Sequence, residues 1–317
     1  MNVLITGASG FIGLNLLRGL LNVGHRVTAI VRPNSPNKNL LPSASDRLQY
    51  LSGLFYDDTF LSTIKTSYDA IIHAAAIRGA GRGNERAYDS VNVEGTRVLI
   101  DFARRKRIPR FLYLSTVGVL GTIPQNLPAK ADDPPAPDGP YHRTKWEAEK
   151  LVLESTGEDL RTLILRPTIT YGPYDNGFLP KLIRFIENKN LILPKNDVKI
   201  HLLAVQSLVR LITQVLALDY FNGRIYQIAD AHPVELHRLA DLIKKYKNGR
   251  YYRLSPYYFK IGANLFSFLG RADLKTSILL LSQSWYYDIE PLKKELFYEP
   301  LETLTEIEEM LSDSSRK

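Results

Sequence analysis

The segment that most constrains this chain is its opening, NVLITGASGFIG at residues 2–13. A short β-branched run ends in glycines at 7, 10 and 13, and an apolar helical pattern starts before the last of them. A strand that turns so abruptly into a helix needs glycine for the tight turn, for close approach of backbone to a ligand, and for helix–strand contact. The first N–H groups of such a helix have no partner within it and carry a partial positive charge, which suits a pyrophosphate. A glycine triplet alone is a weak signal. Between a strand and a helix it marks a dinucleotide-binding βαβ unit.

The first half of the chain repeats that alternation. HRVTAIVR (25–32), LQYLSG (48–53), DAIIHAAA (69–76), RFLYLST (110–116) and RTLILRPT (161–168) read as strands, with helices predicted near 11–23, 58–66, 84–106 and 141–155. Strands that are apolar nearly throughout and separated by helices imply a parallel sheet covered on both faces, and right-handed crossovers make it doubly wound. The expected fold class is therefore α/β: a Rossmann-type dinucleotide-binding domain over 1–170 and a smaller C-terminal substrate lobe over 171–317. The segment about 197–230, with a helix at 208–219 and the strand RIYQIAD (224–230), is expected to return to the sheet. Residues 232–317 read as helical and aromatic-rich, including YYRLSPYYF at 251–259 and SWYYDIEP at 284–291.

Composition narrows the chemistry. With no cysteine, disulfides, thiolate metal sites and cysteine nucleophiles are excluded. The formal charge of +8 suits an anionic ligand such as a phosphorylated cofactor. Its densest cluster, ARRKRIPR at 103–110, falls at a helix C-terminus, where cations are favoured anyway, so nucleic acid is not expected. The six histidines show no ligand spacing and no metal is expected; His73, on a buried strand, reads as a satisfied core imidazole. The first residues already form a strand rather than a signal peptide, and no apolar run nears the roughly 20 residues that cross a bilayer. A cytoplasmic chain without stable membrane insertion is the expectation.

Two positions bear on cofactor and reaction. Arg32 ends the second strand, where an acid would bind the ribose hydroxyls of NAD; a guanidinium instead suits the 2′-phosphate, so NADP is expected over NAD. YHRTK at 141–145 follows the proline-rich ADDPPAPDGP, and Tyr141 and Lys145 share a helix face. A phenol beside an ammonium gives up its proton more easily than a free one.

Taken in order, these motifs resemble the extended short-chain dehydrogenase/reductase family, also called the NAD-dependent epimerase/dehydratase family. TGASGFIG is similar to its TGxxGxxG cradle, DAIIHAAA to its cofactor-lining strand, VNVEGT (91–96) to its central helix and LYLSTVGVLG to its catalytic strand end. YHRTKWEAE resembles its YxxxK helix and LRPTITYGP (165–173) its RPxxxYGP turn. The resemblance covers residues 1 to about 175, with a looser match through IYQIAD and ELFYEP. It implies hydride transfer between a nicotinamide and a carbonyl or secondary alcohol of a small molecule. In that chemistry Tyr141 is the acid/base, Lys145 lowers its pKa and holds the nicotinamide ribose, Thr116 holds the substrate oxygen, and Asn92 braces the central helix. Cofactor contacts are implied at Gly7, Ser9, Gly10, Phe11, Ile12, Gly13, Arg32, Leu54, Ala74, Ala75, Tyr141, Lys145, Pro167 and Thr168. Leu54 stands where the family often carries aspartate, so only its main chain is expected to touch the adenine. His142 lies on another face of the helix from Tyr141 and is not expected to be catalytic.

Departures from the pattern sort the subclasses. Val117 and Gly118 follow Thr116 where the dehydratases carry Asp-Glu. Ile169, Ile200 and Gln206 stand where sugar-nucleotide members resemble one another in an asparagine, an arginine and an aspartate. A simple oxidation or reduction fits what is left, as does a nucleotide-sugar 4-epimerisation with tightly bound NAD. A non-catalytic NADP-sensing regulator is a third reading, which the intact Thr116, Tyr141 and Lys145 oppose. The aromatic lobe at 251–287 tilts the substrate toward apolar or mixed character. Homodimers through helices corresponding to 84–106 and 141–155 are common in the family.

Overall fold

The computed structural model describes residues 1–78 and 84–315, apart from the side chains at 272, 314 and 315. Six strands form where the apolar runs predict them: β1 Asn2–Thr6, β2 Arg26–Val31, β3 Leu48–Ser52, β4 Ala70–His73, β5 Arg110–Leu114 and β6 Arg161–Pro167. Four short strands follow, β7 Ile169–Tyr171, β8 Leu191–Pro194, β9 Lys199–Ile200 and β10 Leu202–Ala204, and then β11 Ile225–Ile228. The main sheet is parallel throughout, in the order β11-β6-β5-β4-β1-β2-β3. The strand order reverses between β1 and β4, which opens a crevice at their carboxyl ends where ligands bind in sheets of this kind.

Alternation within the strands explains why they read as apolar on both sides. Val3 and Ile5, Ala70 and Ile72, Leu112 and Leu114 face one core, while Leu4, Ile71, Phe111 and Tyr113 face the other. The first core is covered by α1 (Phe11–Asn22), and later by helices of the second half. The second is covered by the helix over 85–105 and by α5, defined below. Each fully buried leucine or isoleucine contributes roughly 1.5–3 kcal/mol.

The helices depart from expectation in three places. The helix predicted near 58–66 is α2, Asp58–Ser62. Its N-terminus is capped by Asp57, but the Ser62 and Thr63 hydroxyls donate to the carbonyls of Thr59 and Phe60, a local competition that ends it early. The helix predicted over 84–106 is α3 (Glu85–Tyr88) and α4 (Gly95–Arg105), joined by a π-helical turn at Asp89–Glu94 that holds Asn92. Such widened turns concentrate at functional sites. In the third place, residues 251–254 are a strand rather than a helix, described below.

The remaining helices are α5 (Pro140–Glu154), α6 (Phe178–Glu187), α7 (Val205–Leu218), α8 (Leu236–Tyr246), α9 (Pro256–Phe268), α10 (Ala272–Ser282), α11 (Glu290–Leu296) and α12 (Thr303–Ser315). Two more strands, β12 (Val234–Glu235) and β13 (Tyr251–Leu254), complete the chain. Among these, α7 and α11 lie with α1 on the first core. Tyr251 to Leu254 pair in parallel with Leu191 to Pro194, because aromatic residues favour strand and β8 offers an open edge; Pro256 then starts α9.

A separate core gathers Tyr171, Leu182, Leu193, Leu239, Trp285 and Ile307 beneath the carboxyl end of the sheet. At its centre Asp230 accepts hydrogen bonds from Tyr171 Oη (2.8 Å), Thr303 Oγ1 (2.7 Å) and Ala204 N (2.8 Å). Burial pushes this carboxyl up to about 6 despite those donors. The motif tyrosine of YGP thus ties β7 to β10, β11 and α12. Among the described residues no helix is long and apolar enough to cross a membrane.

Candidate active site

The cradle is tight enough that only glycine fits two of its positions. Gly7 has φ +77°, and a Cβ there would strike the backbone of Ala74 and Ala75; a Cβ on Gly13 would collide with the Gly7 carbonyl. Gly10 is the N-cap of α1 and offers no side chain to its first N–H groups. Phe11, Ile12 and Gly13 therefore begin a helix at the β1–β4 crevice whose first N–H groups have no partner within the helix, a fit for pyrophosphate. The loop after β2 secures the rim: Ser35 Oγ donates to Ser9 Oγ (2.7 Å) and Asn37 Nδ2 to the Ser9 carbonyl (3.1 Å). These bonds use the side chain and carbonyl of Ser9 and leave the helix donors alone. Arg32 is exposed, with no ion pair among the described residues, and Leu54 follows β3 at the same end of the sheet.

From the cradle a directed chain of hydrogen bonds crosses to α5. Thr96 Oγ1 donates to the Asn92 carbonyl (2.7 Å), so it accepts from His73 Nε2 (3.0 Å). His73 Nδ1 must then accept from Thr6 Oγ1 (2.7 Å), which itself accepts from Ala75 N (3.3 Å). Burial, and then the Lys145 charge, hold the His73 pKa well below the usual imidazole range, which agrees with this single neutral tautomer. The Asn92 side chain brackets both main-chain groups of Ile77 (2.9 and 3.1 Å) and donates to Thr144 Oγ1 (3.1 Å). Thr144 lies on α5 between Tyr141 and Lys145. Asn92 is a buried brace between helix and loop.

The first turn of α5 is pinned against the end of β5 at two points. Lys145 Nζ donates to the Leu114 carbonyl at 2.6 Å and stands 4.0 Å from the Tyr113 ring centre. His142 packs on Gly118, so closely that a Cβ at 118 would overlap its imidazole, and its Nδ1 bonds Asp138 at 2.8 Å. Burial pushes the Asp138 carboxyl up, but hydrogen bonds from His142 and Thr122 outweigh it and hold the group well below its ordinary value. The two pins flank Thr116, which caps the turn Val117–Leu120 by accepting from Gly118 N (3.1 Å). Tyr141 immediately precedes His142, with the two ring centres 5.6 Å apart.

Burial lowers Lys145 to about 7, with Glu149 pulling the other way, and burial raises Tyr141 above an ordinary phenol. The charge that opposes the rise at Tyr141 belongs to Arg78, whose guanidinium lies 5.6 Å from the ring centre. Sequence reading assigned that part to Lys145 and missed Arg78, which sits in a loop with no motif around it. It also missed Asp175, whose Oδ1 accepts from Gly177 N (2.6 Å) while its Oδ2 is buried without a partner among the described residues. Burial raises the Asp175 carboxyl although Arg78 and Lys181 act to lower it.

At the carboxyl end of β6, Pro167 and Thr168 are buried, and the Thr168 hydroxyl likewise has no partner among the described residues. An orphaned hydroxyl there, at the same end of the parallel sheet as the cradle, fits a bound polar group such as a dinucleotide. Behind α5, Arg166 and Glu149 form a buried two-pronged ion pair (2.7 and 2.8 Å). Both residues line a cavity of about 260 Å³, which Thr116, Tyr141, Lys145 and the cradle glycines do not line. Ile200 is buried in the core beneath the sheet. Among the described residues no group of three or more His, Cys, Asp or Glu could hold a metal.

The NAD dependent epimerase/dehydratase family matches residues 3–229. A 4-hydroxy-2-methyl-3-oxo-4-farnesyl-3,4-dihydroquinoline-1-oxide ketoreductase from Stigmatella aurantiaca is 33% identical over 191 residues, 60% of this chain and 56% of that protein. A UDP-glucose 4-epimerase from Vibrio cholerae is 27% identical over 318 residues, 96% of this chain and 92% of that protein. The match spans little more than half the length of several curated relatives. The solved structure of DesIV, a dTDP-glucose 4,6-dehydratase from Streptomyces venezuelae with NAD and TYD bound, shares the fold at a TM-score of 0.79 and 21% identity, covering 98% of this chain and 96% of that one. With the family matched along the parallel sheet and its cradle, this chain belongs to the NAD dependent epimerase/dehydratase family.

Proposed function

We propose that this chain is an oxidoreductase that interconverts a carbonyl and a secondary alcohol on an apolar or mixed small molecule, with NADP favoured over NAD. The observation that supports this reading is the pinning of α5 to residues on both sides of Thr116, through Lys145–Leu114 and His142–Gly118. When bound, the nicotinamide supplies or takes up the hydride at the carbonyl carbon. Gly7, Gly10, Gly13 and the first N–H groups of α1 would hold its phosphates, Arg32 the 2′-phosphate, and Thr168 and Lys145 the nicotinamide end. In reduction Tyr141 gives its proton to the carbonyl oxygen held by Thr116; in oxidation the phenolate takes it back. Arg78 favours that phenolate, and the neutral form open to a lysine near 7 lets Lys145 pass a proton onward. The lobe over 171–317, apart from α7 and β11, would hold the substrate.

The farnesyl-bearing substrate named for the Stigmatella aurantiaca relative supports the substrate class. The test is a screen of ketones and secondary alcohols followed by nicotinamide absorbance. Net change with apolar ketones, lost about 10²–10⁴-fold in Tyr141→Phe with cofactor binding retained, is the expected result. A second reading, 4-epimerisation of a nucleotide sugar, is favoured by the Vibrio cholerae relative, which aligns over 96% of this chain. Sugar interconversion without net change in cofactor would establish it instead. Tyr141→Phe with unaltered turnover would point to a non-catalytic role.

A further inference from the structure

The helix α9 presents an apolar face to solvent. Tyr257, Tyr258, Ile261, Leu265 and Phe268 recur at i, i+4, i+8 and i+11 or beside those positions, a stripe about 100° wide of the kind a globular helix normally buries. Here all five are exposed, Tyr257 at 66% and Phe268 at 87%. The reverse side of α9, carrying the buried Ala263 with Phe259 and Phe266 less exposed than the stripe, is turned to the protein, and Gly262 lies against Ile278 of α10. Lone exposed hydrophobic residues are ordinary, but a contiguous row is not.

The chain around this row is basic. Within residues 250–275, Arg250, Arg253, Lys260, Arg271 and Lys275 stand against one acid, Asp273, half of the chain's +8, although Arg253 also bonds Tyr251, which donates to Asp241. Asp273 is paired with Arg271 at 3.4 Å. Two such faces brought together in a symmetric dimer would repel one another. An anionic bilayer offers the complement on both counts: acyl chains for the stripe and lipid phosphates for the basic residues.

We propose that α9 is a monotopic docking helix that lays its exposed face onto an anionic membrane surface, with Lys260 and the arginines at its ends on lipid headgroups. The hairpin of α9 and α10 rests on the core that also contains Val117 and Leu120, directly after Thr116, through Leu280, Leu281 and Trp285. A docked chain would therefore hold its catalytic lobe against the bilayer without spanning it.

Co-sedimentation of the full chain with vesicles decides the matter. Vesicles of phosphatidylcholine containing phosphatidylglycerol should carry down roughly tenfold more protein than phosphatidylcholine alone, and salt should reduce the difference. The variant Tyr257→Ser/Leu265→Ser/Phe268→Ser, with an unchanged thermal midpoint as its control, should stay in the supernatant. Should that variant lose its fold, Phe268→Trp in the otherwise intact chain gives the second readout, a blue shift in emission on adding anionic vesicles. Absence of sedimentation, equal sedimentation with both vesicles, unchanged Phe268→Trp emission, or a solution dimer that those three substitutions dissociate would each overturn the proposal.

Discussion

The guanidinium of Arg78 stands 5.6 Å from the centre of the Tyr141 ring, and it is the charge that offsets the effect of burial on that phenol. A cation favours phenolate, so removing it raises the phenol pKa further. Alcohol oxidation requires the phenolate as base. Arg78→Ala should therefore move the ascending limb of the oxidation profile to higher pH and slow the neutral-pH rate by about tenfold, with Arg78→Lys in between. The profile of kcat/KM against pH checks this; an unmoved limb would mean that the guanidinium is not felt at the oxygen.

Lys145 makes a prediction about stability as well as rate. Its folded value, about 7, lies below the ordinary lysine value near ~10.4, so between those limits the unfolded chain binds more protons and stability rises with pH. Below 7 the cost of the buried charge is present in full. Lys145→Met should thus be the more stable chain at pH 6–7, on the order of a few kcal/mol less about one for the lost bond to the Leu114 carbonyl. The gap should shrink toward pH 10 while activity stays depressed. Thermal midpoints of the two chains across that range measure it; a gap that widens with pH would refute the reading.

Arg32 is exposed and without an ion pair among the described residues, so changing it should leave the fold alone. Arg32→Asp is expected to weaken NADPH binding by at least about tenfold and to leave NADH binding equal or improved. Fluorescence titration with both cofactors reads the outcome. Equal affinities before and after the substitution would remove the NADP preference.

His73 accepts from Thr6 and donates to Thr96, so His73→Phe strands the buried Thr6 O–H donor and takes one donor from the Thr96 hydroxyl, which keeps its bond to the Asn92 carbonyl. Leaving the Thr6 donor unsatisfied costs about 1–3 kcal/mol. A lower urea midpoint is expected, accompanied by weaker cofactor binding, since the same change frees the end of β1 from α4. His73→Gln, which can both accept and donate, should recover part of each loss.

Much of this site was legible because its requirements are local. A turn that admits no Cβ can be recognised from Gly7 and Gly13 alone, and strands such as Ile71-Ile72 read as buried because both their faces meet a core. Tyr141 and Lys145 were visible through helical spacing. Arg78 was not, since its role arises from a loop folding over a helix that lies far along the chain. The route from Thr6 through His73 and Thr96 to Asn92 was equally hidden, because each partner is an ordinary core position until topology joins them. The strand β13 was read as helix for a related reason: four residues show little period, and their partner β8 comes from an earlier part of the lobe.

The last strand of the sheet, β11, pairs with β6 only after the chain has made its excursion through β7 to α7. During synthesis the growing sheet must wait with the β6 edge open until residue 228 has left the ribosome. A chaperone that shields that border, or a pause in translation within the excursion, would govern how much of the newborn chain escapes aggregation.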